Sequence, residues 1–423
     1  MKLILKNFAK IKEAEIHFDG LTVIAGDNNT GKSTIGKVLF TLFHSLRNMP
    51  QQVLEERKRP IRKFFAVFWG RDRERLRLRR FIGMRGGVLE PFHGLDTQTE
   101  TEQSWYDVLL HNIREEWHIE LSEEEKKELR TKVRDALAPS DDEITKTLVG
   151  NAFSDVFAGQ INALHNDANA HVFLYVQEKK KEIVFQRNEC SYYESAIELI
   201  EDAICVEDPF LIDQCFPTRL SDVGIEDNPL REGLLKYLET DGRPNVVEGL
   251  EVKRRLNEVF SLFQQIMPGN IAHERRRFVL EMEGQDQPLN VENWSAGMKS
   301  FAILKRLLEN GTLHEKGVLI LDEPEIHLHP EWQLRYAEIL VLLQKKFDLT
   351  VLLTTHSPFF LDAIELYACK HGIGDKARYY LSEAVGNQVS FRDVSDEIDK
   401  IYEKMSAPVQ TLENLRAELR MRR

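Results

Sequence analysis

Residues 26 to 34 read GDNNTGKST and directly follow the apolar run LTVIA at 21–25. A buried strand thus ends in a polar, glycine-flanked loop, and a helix begins at once. In STIGKVLFTLFHSL (33–46), Ile35, Val38, Leu39, Leu42, Phe43 and Leu46 follow the i, i+3, i+4, i+7 spacing of an amphipathic helix. The loop fits G-x-x-x-x-G-K-[ST], with Gly26, Gly31, Lys32 and Ser33 at the fixed places. The spacing has a physical cause. Such a loop curls around a phosphate with its N–H groups pointing inward, which needs dihedrals that glycine tolerates. The helix behind it aims its positive end at the same anion. Asn28, Asn29, Thr30, Gly31, Lys32, Ser33 and Thr34 are therefore the expected nucleotide-phosphate-binding residues. Among them, Lys32 reaches the β- and γ-phosphates, Ser33 ligates Mg²⁺ and Thr34 contacts the α-phosphate. By average residue frequencies, a chain of this length shows the bare pattern by accident in roughly one or two cases per hundred.

Three further stretches carry chemistry. In VLILDEPEIHLHPEWQ (318–333), Val318 to Leu321 form a buried parallel-type strand with Asp322 and Glu323 emerging at its end. An acid there holds the metal shell, which assigns Asp322 to Mg²⁺, and Glu323 beside it is placed to orient and deprotonate an attacking water. In NWSAGMKSF (293–301), Ser295 is a helix N-cap, and a capped N-terminus presents N–H groups and a hydroxyl to a phosphate. In LLTTHSPFF (352–360), a core strand delivers His356 into a loop.

Composition narrows the class. With 42% hydrophobic and 30% charged residues the chain reads as globular, and no apolar run is long enough to span a bilayer. Cys190, Cys205, Cys215 and Cys369 show no metal-ligand spacing and read as reduced thiols; the N-terminus lacks a signal-peptide core, so a cytoplasmic location is expected. The formal net charge of −12 argues against a molecule built to coat nucleic acid. One local exception is the stretch 57–85, where twelve Lys or Arg face only Asp72 and Glu74. It reads either as a DNA contact or as an edge strand, RERLRLRRF, kept soluble by arginines.

The chain divides into an N-terminal lobe with the phosphate loop (1–46), a charged, mostly helical insertion (47–165), a stretch of strands and helices (166–290), a second lobe with Asp322, Glu323 and His356 (291–390) and a helical tail (391–423). Within the insertion, Ser122 and Glu125 predict a capping box. The acidic cluster Asp393, Asp396, Glu397 and Asp399 reads as a solvated helix start.

In type and order these elements resemble the heads of ABC-type ATPases of the OLD, RecF and SMC group, an α/β P-loop NTPase fold. The phrase EPEIHLHPEWQ resembles the OLD-like and AAA15-like bacterial ATPases far more than transporter subunits, and the chain as a whole is most similar to the stand-alone ATPases of phage-defence operons of the Septu and PARIS kinds. The resemblance covers roughly 1–46 and 290–365. It implies that Ser295 and Gly297, in SAGMK, form a signature that closes in trans on ATP held by a second subunit, and that His356 contacts the γ-phosphate within its own chain. Ala296 and Met298 depart from the family's S-G-G-Q, and His329 stands where transporter heads have an aspartate. Gln160 and Gln177 are the candidates for the family's loop glutamine. The Toprim nuclease of OLD enzymes is not expected in the sixty-seven residues after His356. The resemblance thus implies a slow ATPase that dimerises head to head, in a homodimer or higher homo-oligomer, and controls a separate effector, a nuclease or toxin, in antiviral defence. The alternative is a RecF- or SMC-like ATPase of DNA repair or chromosome maintenance. A third possibility is a module that holds ATP without turnover. A GTPase is disfavoured by the lack of an N-K-x-D motif.

Overall fold

The computed structural model describes residues 1–70, 91–95, 101–163, 167–199, 201–215, 228–240, 246–274, 277–282 and 284–421. The chain forms two compact units, Met1–Arg47 with Gly150–Arg423, and Asn48–Val149.

Among the described residues, the larger unit is built on an eleven-stranded sheet. Its N-terminal strands are β1 (Lys2–Phe8), β2 (Ile11–His17) and β3 (Leu21–Gly26); β4 (Ala170–Val176), β5 (Lys179–Gln186), β6 (Glu189–Ser195) and β7 (Ala203–Val206) follow the smaller unit. A separate antiparallel sheet joins β8 (Asn270–Glu274), β9 (Arg277–Glu281) and β10 (Leu289–Asn290). The main sheet is completed by β11 (Val318–Asp322), β12 (Thr350–Thr355), β13 (Ala377–Val385) and β14 (Gln388–Asp393), in the order β6-β5-β4-β1-β2-β14-β13-β3-β12-β11-β7. The run β13-β3-β12-β11-β7 is parallel throughout. The opposite end, β6-β5-β4-β1-β2, is antiparallel.

The helices are α1 (Lys32–Phe40), α2 (Met49–Gly70), α3 (Glu102–Trp117), α4 (Glu123–Leu137), α5 (Asp141–Phe157), α6 (Pro229–Glu239), α7 (Val246–Arg255), α8 (Asn257–Ile266), α9 (Ala296–Glu309), α10 (Pro330–Phe347), α11 (Pro358–Lys370) and α12 (Asp399–Met421). The parallel strands are apolar at nearly every position because both faces are covered. Val23, Ala25, Leu319, Leu321, Val351 and Leu353 join the core shared with α9 and α10. The alternate residues Ile320 and Leu352 meet α1 at Gly36, where an added Cβ would lie 3.0 Å from Ile320 Cγ2. Close approach of helix to strand explains glycine at that position.

The smaller unit packs α2, α3 and α4 around an aromatic core that includes Phe64, Phe65, Phe68, Trp69, Trp105 and Trp117. The capping box of α4 is present: Glu125 N–H donates to Ser122 Oγ at 3.3 Å, and Ser122 N–H to Glu125 Oε2 at 2.9 Å. Within the basic stretch, Arg57 pairs with Asp141, Lys58 and Arg62 with Glu55, and Arg59 with Glu56. These cations are neutralised within their own unit. The remainder of that stretch, including the RERLRLRRF strand and Arg75, Arg77 and Arg79, lies outside the described residues.

The acidic cluster 393–399 is not a helix start as a whole. Asp393 closes β14 and accepts from Ser395 Oγ at 2.6 Å, and only Asp399 lies in the first turn of α12. An Asp two residues before Ser satisfies the chain locally and ends the strand before the helix begins.

Candidate functional site

The site forms where parallel strands end. Register places Asp322 opposite Thr354, and Thr355 opposite Ala25, so β12 lies between the phosphate-loop strand β3 and the acid-bearing strand β11. Loops leaving the carboxyl ends of these strands therefore converge.

The loop after β3 has alternating handedness. Asn29 has φ 64° and Gly31 φ 72°, a backbone that turns successive N–H groups inward as an anion-binding nest. Gly26, at φ 149°, permits a second close approach: a Cβ there would lie 2.3 Å from Ser382 Oγ and 2.4 Å from Ser382 O. Ser382 on β13 in turn braces the loop, its hydroxyl 2.6 Å from Thr30 Oγ1 and donating to Ala25 O at 3.2 Å. Lys10 Nζ donates to Asn29 Oδ1 at 2.7 Å, and Lys404 of α12 pairs with Asp27 at 3.2 Å. Asn28 is exposed, and Ser33 and Thr34 lie in the first turn of α1 with Thr34 N–H donating to Gly31 O.

Lys32 is buried in this loop. Its ammonium donates to Asp27 O at 2.8 Å and Gly26 O at 3.3 Å, and lies 2.7 Å from His356 Nε2. Burial lowers its pKa, while the negative fields of Glu323, Asp322, Asp27 and Glu325 oppose that shift. His356 Nε2 is also 2.6 Å from Glu323 Oε1. One imidazole nitrogen thus stands between the phosphate-loop lysine and the second acid of β11.

Thr354 organises those acids. Its hydroxyl donates to Asp322 Oδ1 at 2.6 Å and accepts from Glu323 N–H at 3.0 Å. Glu323 has φ 49°, a left-handed backbone that non-glycine residues adopt rarely. Such strain is held in place by its surroundings, and here the Thr354 bond to the Glu323 amide supplies one of the restraints.

Two acids were not singled out from the sequence. Glu325, 3% exposed, accepts from Thr355 Oγ1 at 2.5 Å and from His356 N–H at 3.0 Å. Burial raises its pKa against the effect of those hydrogen bonds. Glu207 follows Val206, the residue of β7 paired with Leu321, so it stands beside Asp322. It lies 3.3 Å from Lys37, and burial, followed by the field of Asp322, holds its pKa up. With Ser300, Asp322, Glu323 and Tyr336 it lines a cavity of about 110 Å³. The DEPE spacing offered a signal for Glu325, whereas nothing local marked Glu207.

Ser295 caps α9, its hydroxyl accepting from Met298 N–H at 3.2 Å, and its side chain is exposed. Gly297 is buried against Trp332, whose ring carbons would lie 2.9 Å from an added Cβ. Among the described residues no hydrogen bond joins Ser295 or Gly297 to the Lys32–His356–Glu323 chain. His329 caps α10, its Nδ1 accepting from Glu331 N–H at 3.4 Å. Gln177 forms the β4–β5 turn in the antiparallel half of the sheet, and Gln160 is exposed after α5.

The donor set suits a hard cation. Asp322 and Ser33 offer oxygens, and no group of three or more His, Cys, Asp or Glu able to hold a metal occurs among the described residues. Magnesium typically takes one or two protein oxygens and completes its shell with phosphate and water. No helix among the described residues is long and apolar enough to cross a membrane.

Comparison with solved structures finds an SMC head domain from Thermotoga maritima at 13% identity, covering 93% of this chain and 98% of that one with a TM-score of 0.41. An SMC head bound to the C-terminal winged-helix domain of ScpA is 14% identical, covering 94% and 98% with a TM-score of 0.44. An SMC head domain from Pyrococcus furiosus with an extended coiled coil, bound to the C-terminal domain of ScpA, is 13% identical, covering 96% and 98% with a TM-score of 0.41. A family model described as "AAA domain, putative AbiEii toxin, Type IV TA system" matches residues 21–362, a span that runs from β3 through the phosphate loop, Asp322, Glu323 and His356. The chain belongs to this family of AAA-domain P-loop ATPases.

Proposed function

We propose that the protein is a magnesium-dependent ATPase switch whose active sites are completed between two copies, and that it controls a separate nuclease or toxin in antiviral defence. The observation that carries the catalytic part is the chain Lys32–His356–Glu323, with contacts of 2.7 and 2.6 Å, set beside Asp322 at the carboxyl ends of β12 and β11. The nest at 26–34 and Lys32 bind the triphosphate. Ser33 and Asp322 would hold magnesium, which neutralises charge on the transferring phosphoryl group. Glu323 orients the attacking water and takes its proton as the new oxygen–phosphorus bond forms and the bond to ADP breaks. His356 donates to the γ-phosphate when Nε2 carries the proton.

The two-copy part rests on where apolar surface lies. Phe210, Ile326 and Phe359 are 42%, 60% and 45% exposed, and they follow the carboxyl ends of β7, β11 and β12. Exposed large apolar side chains grouped on a catalytic edge favour an interface there. The exposed hydroxyl of Ser295 would complete a partner's site. The defence role is supported by resemblance to the phage-defence ATPases and by the toxin–antitoxin wording of the family description. Arg57, Lys58, Arg59 and Arg62 of the basic stretch are paired internally, which gives the DNA-repair reading no added support.

The test is sedimentation of Glu323→Gln with ATP and magnesium. A dimer is expected, lost in Glu323→Gln/Ser295→Arg and lost again without nucleotide. A monomer in all three conditions would refute the two-copy site. Reconstitution with any nuclease or toxin found encoded beside this reading frame tests the switch: effector activity should change between the wild type and Lys32→Ala.

A further inference from the structure

We infer that Glu325 is a positioning residue for hydrolysis, fixing His356 from behind through the main chain. The inference rests on the catalytic reading of His356 given above and names the group that holds this side chain in place. His356 sits at the first position beyond β12, where a strand has ended and no ladder partner fixes the backbone. The amide at this point donates to Glu325 Oε1 at 3.0 Å, and the preceding Thr355 hydroxyl donates to the same oxygen at 2.5 Å. Two donors from consecutive residues on one carboxylate oxygen define the direction in which the loop leaves the sheet. Ser357, the next residue, is tied as well: its hydroxyl donates to Gln333 Oε1 at 3.3 Å, and Gln333 Nε2 donates to Glu325 O at 3.4 Å. The loop carrying His356 is therefore held at three successive residues to the segment that begins with Asp322.

Glu325 is 3% exposed, and its Oε2 is buried without a hydrogen-bond partner. A carboxyl in this position is costly to keep, and an apolar residue of similar volume would spare the desolvation. A polar group retained under that penalty is explained by what it holds. It is two residues from Glu323, so the backbone that presents the second acid also presents the acceptor for His356. The 2.6 Å contact between His356 Nε2 and Glu323 Oε1 is thus closed by a short circuit of covalent and hydrogen bonds. Loss of the Glu325 acceptor should let the imidazole wander while the nucleotide cradle keeps its own braces, Ser382, Lys10 and Lys404, and Lys32 keeps its bonds to Asp27 O and Gly26 O.

The experiment is a double-mutant cycle in ATP turnover, with nucleotide affinity measured in parallel. Glu325→Ala should lower kcat about tenfold or more, the scale of one charge-assisted hydrogen bond, with affinity for ATP within about twofold of wild type. Glu325→Gln keeps an acceptor oxygen and should restore most of the rate. In a His356→Ala background, Glu325→Ala should cost nothing further, because both changes remove one function. Should Glu325→Ala melt below the assay temperature, Thr355→Val probes the same oxygen and should behave alike. Wild-type kcat in Glu325→Ala, multiplied losses in the double variant, or a fall in affinity matching the fall in kcat would each overturn the inference. Wild-type turnover in His356→Ala alone would instead overturn the catalytic reading of His356, and this inference with it.

Discussion

His356 Nε2 lies 2.6 Å from Glu323 Oε1, and the same nitrogen is 2.7 Å from Lys32 Nζ. It cannot satisfy both neighbours in one protonation state. As an acceptor it takes a hydrogen from Lys32; as a donor it gives one to Glu323 or to a phosphate oxygen. The tautomer of one ring therefore separates a state bound to the lysine from a state bound to the acid.

Substitution should resolve the two neighbours. Glu323→Gln is expected to retain ATP binding while turnover falls about 100-fold or more, the range for loss of a positioned base. Lys32→Ala is expected to lose nucleotide affinity itself. Equilibrium binding of a fluorescent ATP analogue together with phosphate release distinguishes them, and equal turnover in wild type and both variants would refute the assignment.

Thr354→Val removes a hydroxyl that serves Asp322 and the Glu323 amide at once. The replacement is nearly isosteric, so folding should be retained while a half-buried amide loses its acceptor, at about 1 kcal/mol. We expect kcat to fall at least fivefold and the apparent magnesium requirement to rise. A magnesium titration of the rate checks both.

Gly297→Ala sets two effects against each other. Alanine gains about 0.5–1 kcal/mol of helix preference over glycine. The new methyl would lie 2.9 Å from the Trp332 ring, and overpacking of a core costs about 1–3 kcal/mol. The clash should win, lowering the melting temperature. Trp332→Leu in the same chain should reverse the sign, so that Gly297→Ala becomes neutral or stabilising in thermal denaturation.

Lys181 offers a pH test remote from the site. It is 2% exposed on β5, and burial lowers its pKa from 10.5 to about 8. The folded chain releases this proton more readily than the unfolded one, so between about pH 8 and 10.5 the unfolded state binds more protons and stability rises with pH. The favourable contribution is complete above the unfolded pKa and is lost as pH falls through the folded value. At pH 7, Lys181→Met should stabilise by about 3 kcal/mol, the equivalent of that shift. Denaturant titrations at pH 7 and 10 should show the difference shrinking at the higher pH; an unchanged difference would discount burial as its cause.

The phosphate loop, the acid pair and the Ser295 cap were legible because each is a local pattern within one strand–loop–helix passage. The supports were not. Ser382 meets Thr30 across 352 residues, and Thr354 meets Asp322 across 32, so no window of sequence contains both partners. Glu207 stands beside Asp322 only because β7 adds to the sheet next to β11. Gly297 illustrates the opposite case: its place just after the Ser295 cap was readable, but its contact with Trp332 follows from how α9 meets α10. The five-residue π-helical turn Thr41–Ser45 also continues the apolar period of α1 closely enough to pass for ordinary helix.

The lodging of β12 between β3 and β11 has a consequence for the order of events during synthesis. Strand β3 ends at Gly26, yet the neighbour that flanks it on the acid-bearing side begins at Thr350. More than three hundred residues must leave the ribosome before that gap can close, and pairings so distant in sequence form slowly. A nascent chain can therefore carry the whole glycine-flanked loop while the histidine that adjoins its lysine has yet to be translated.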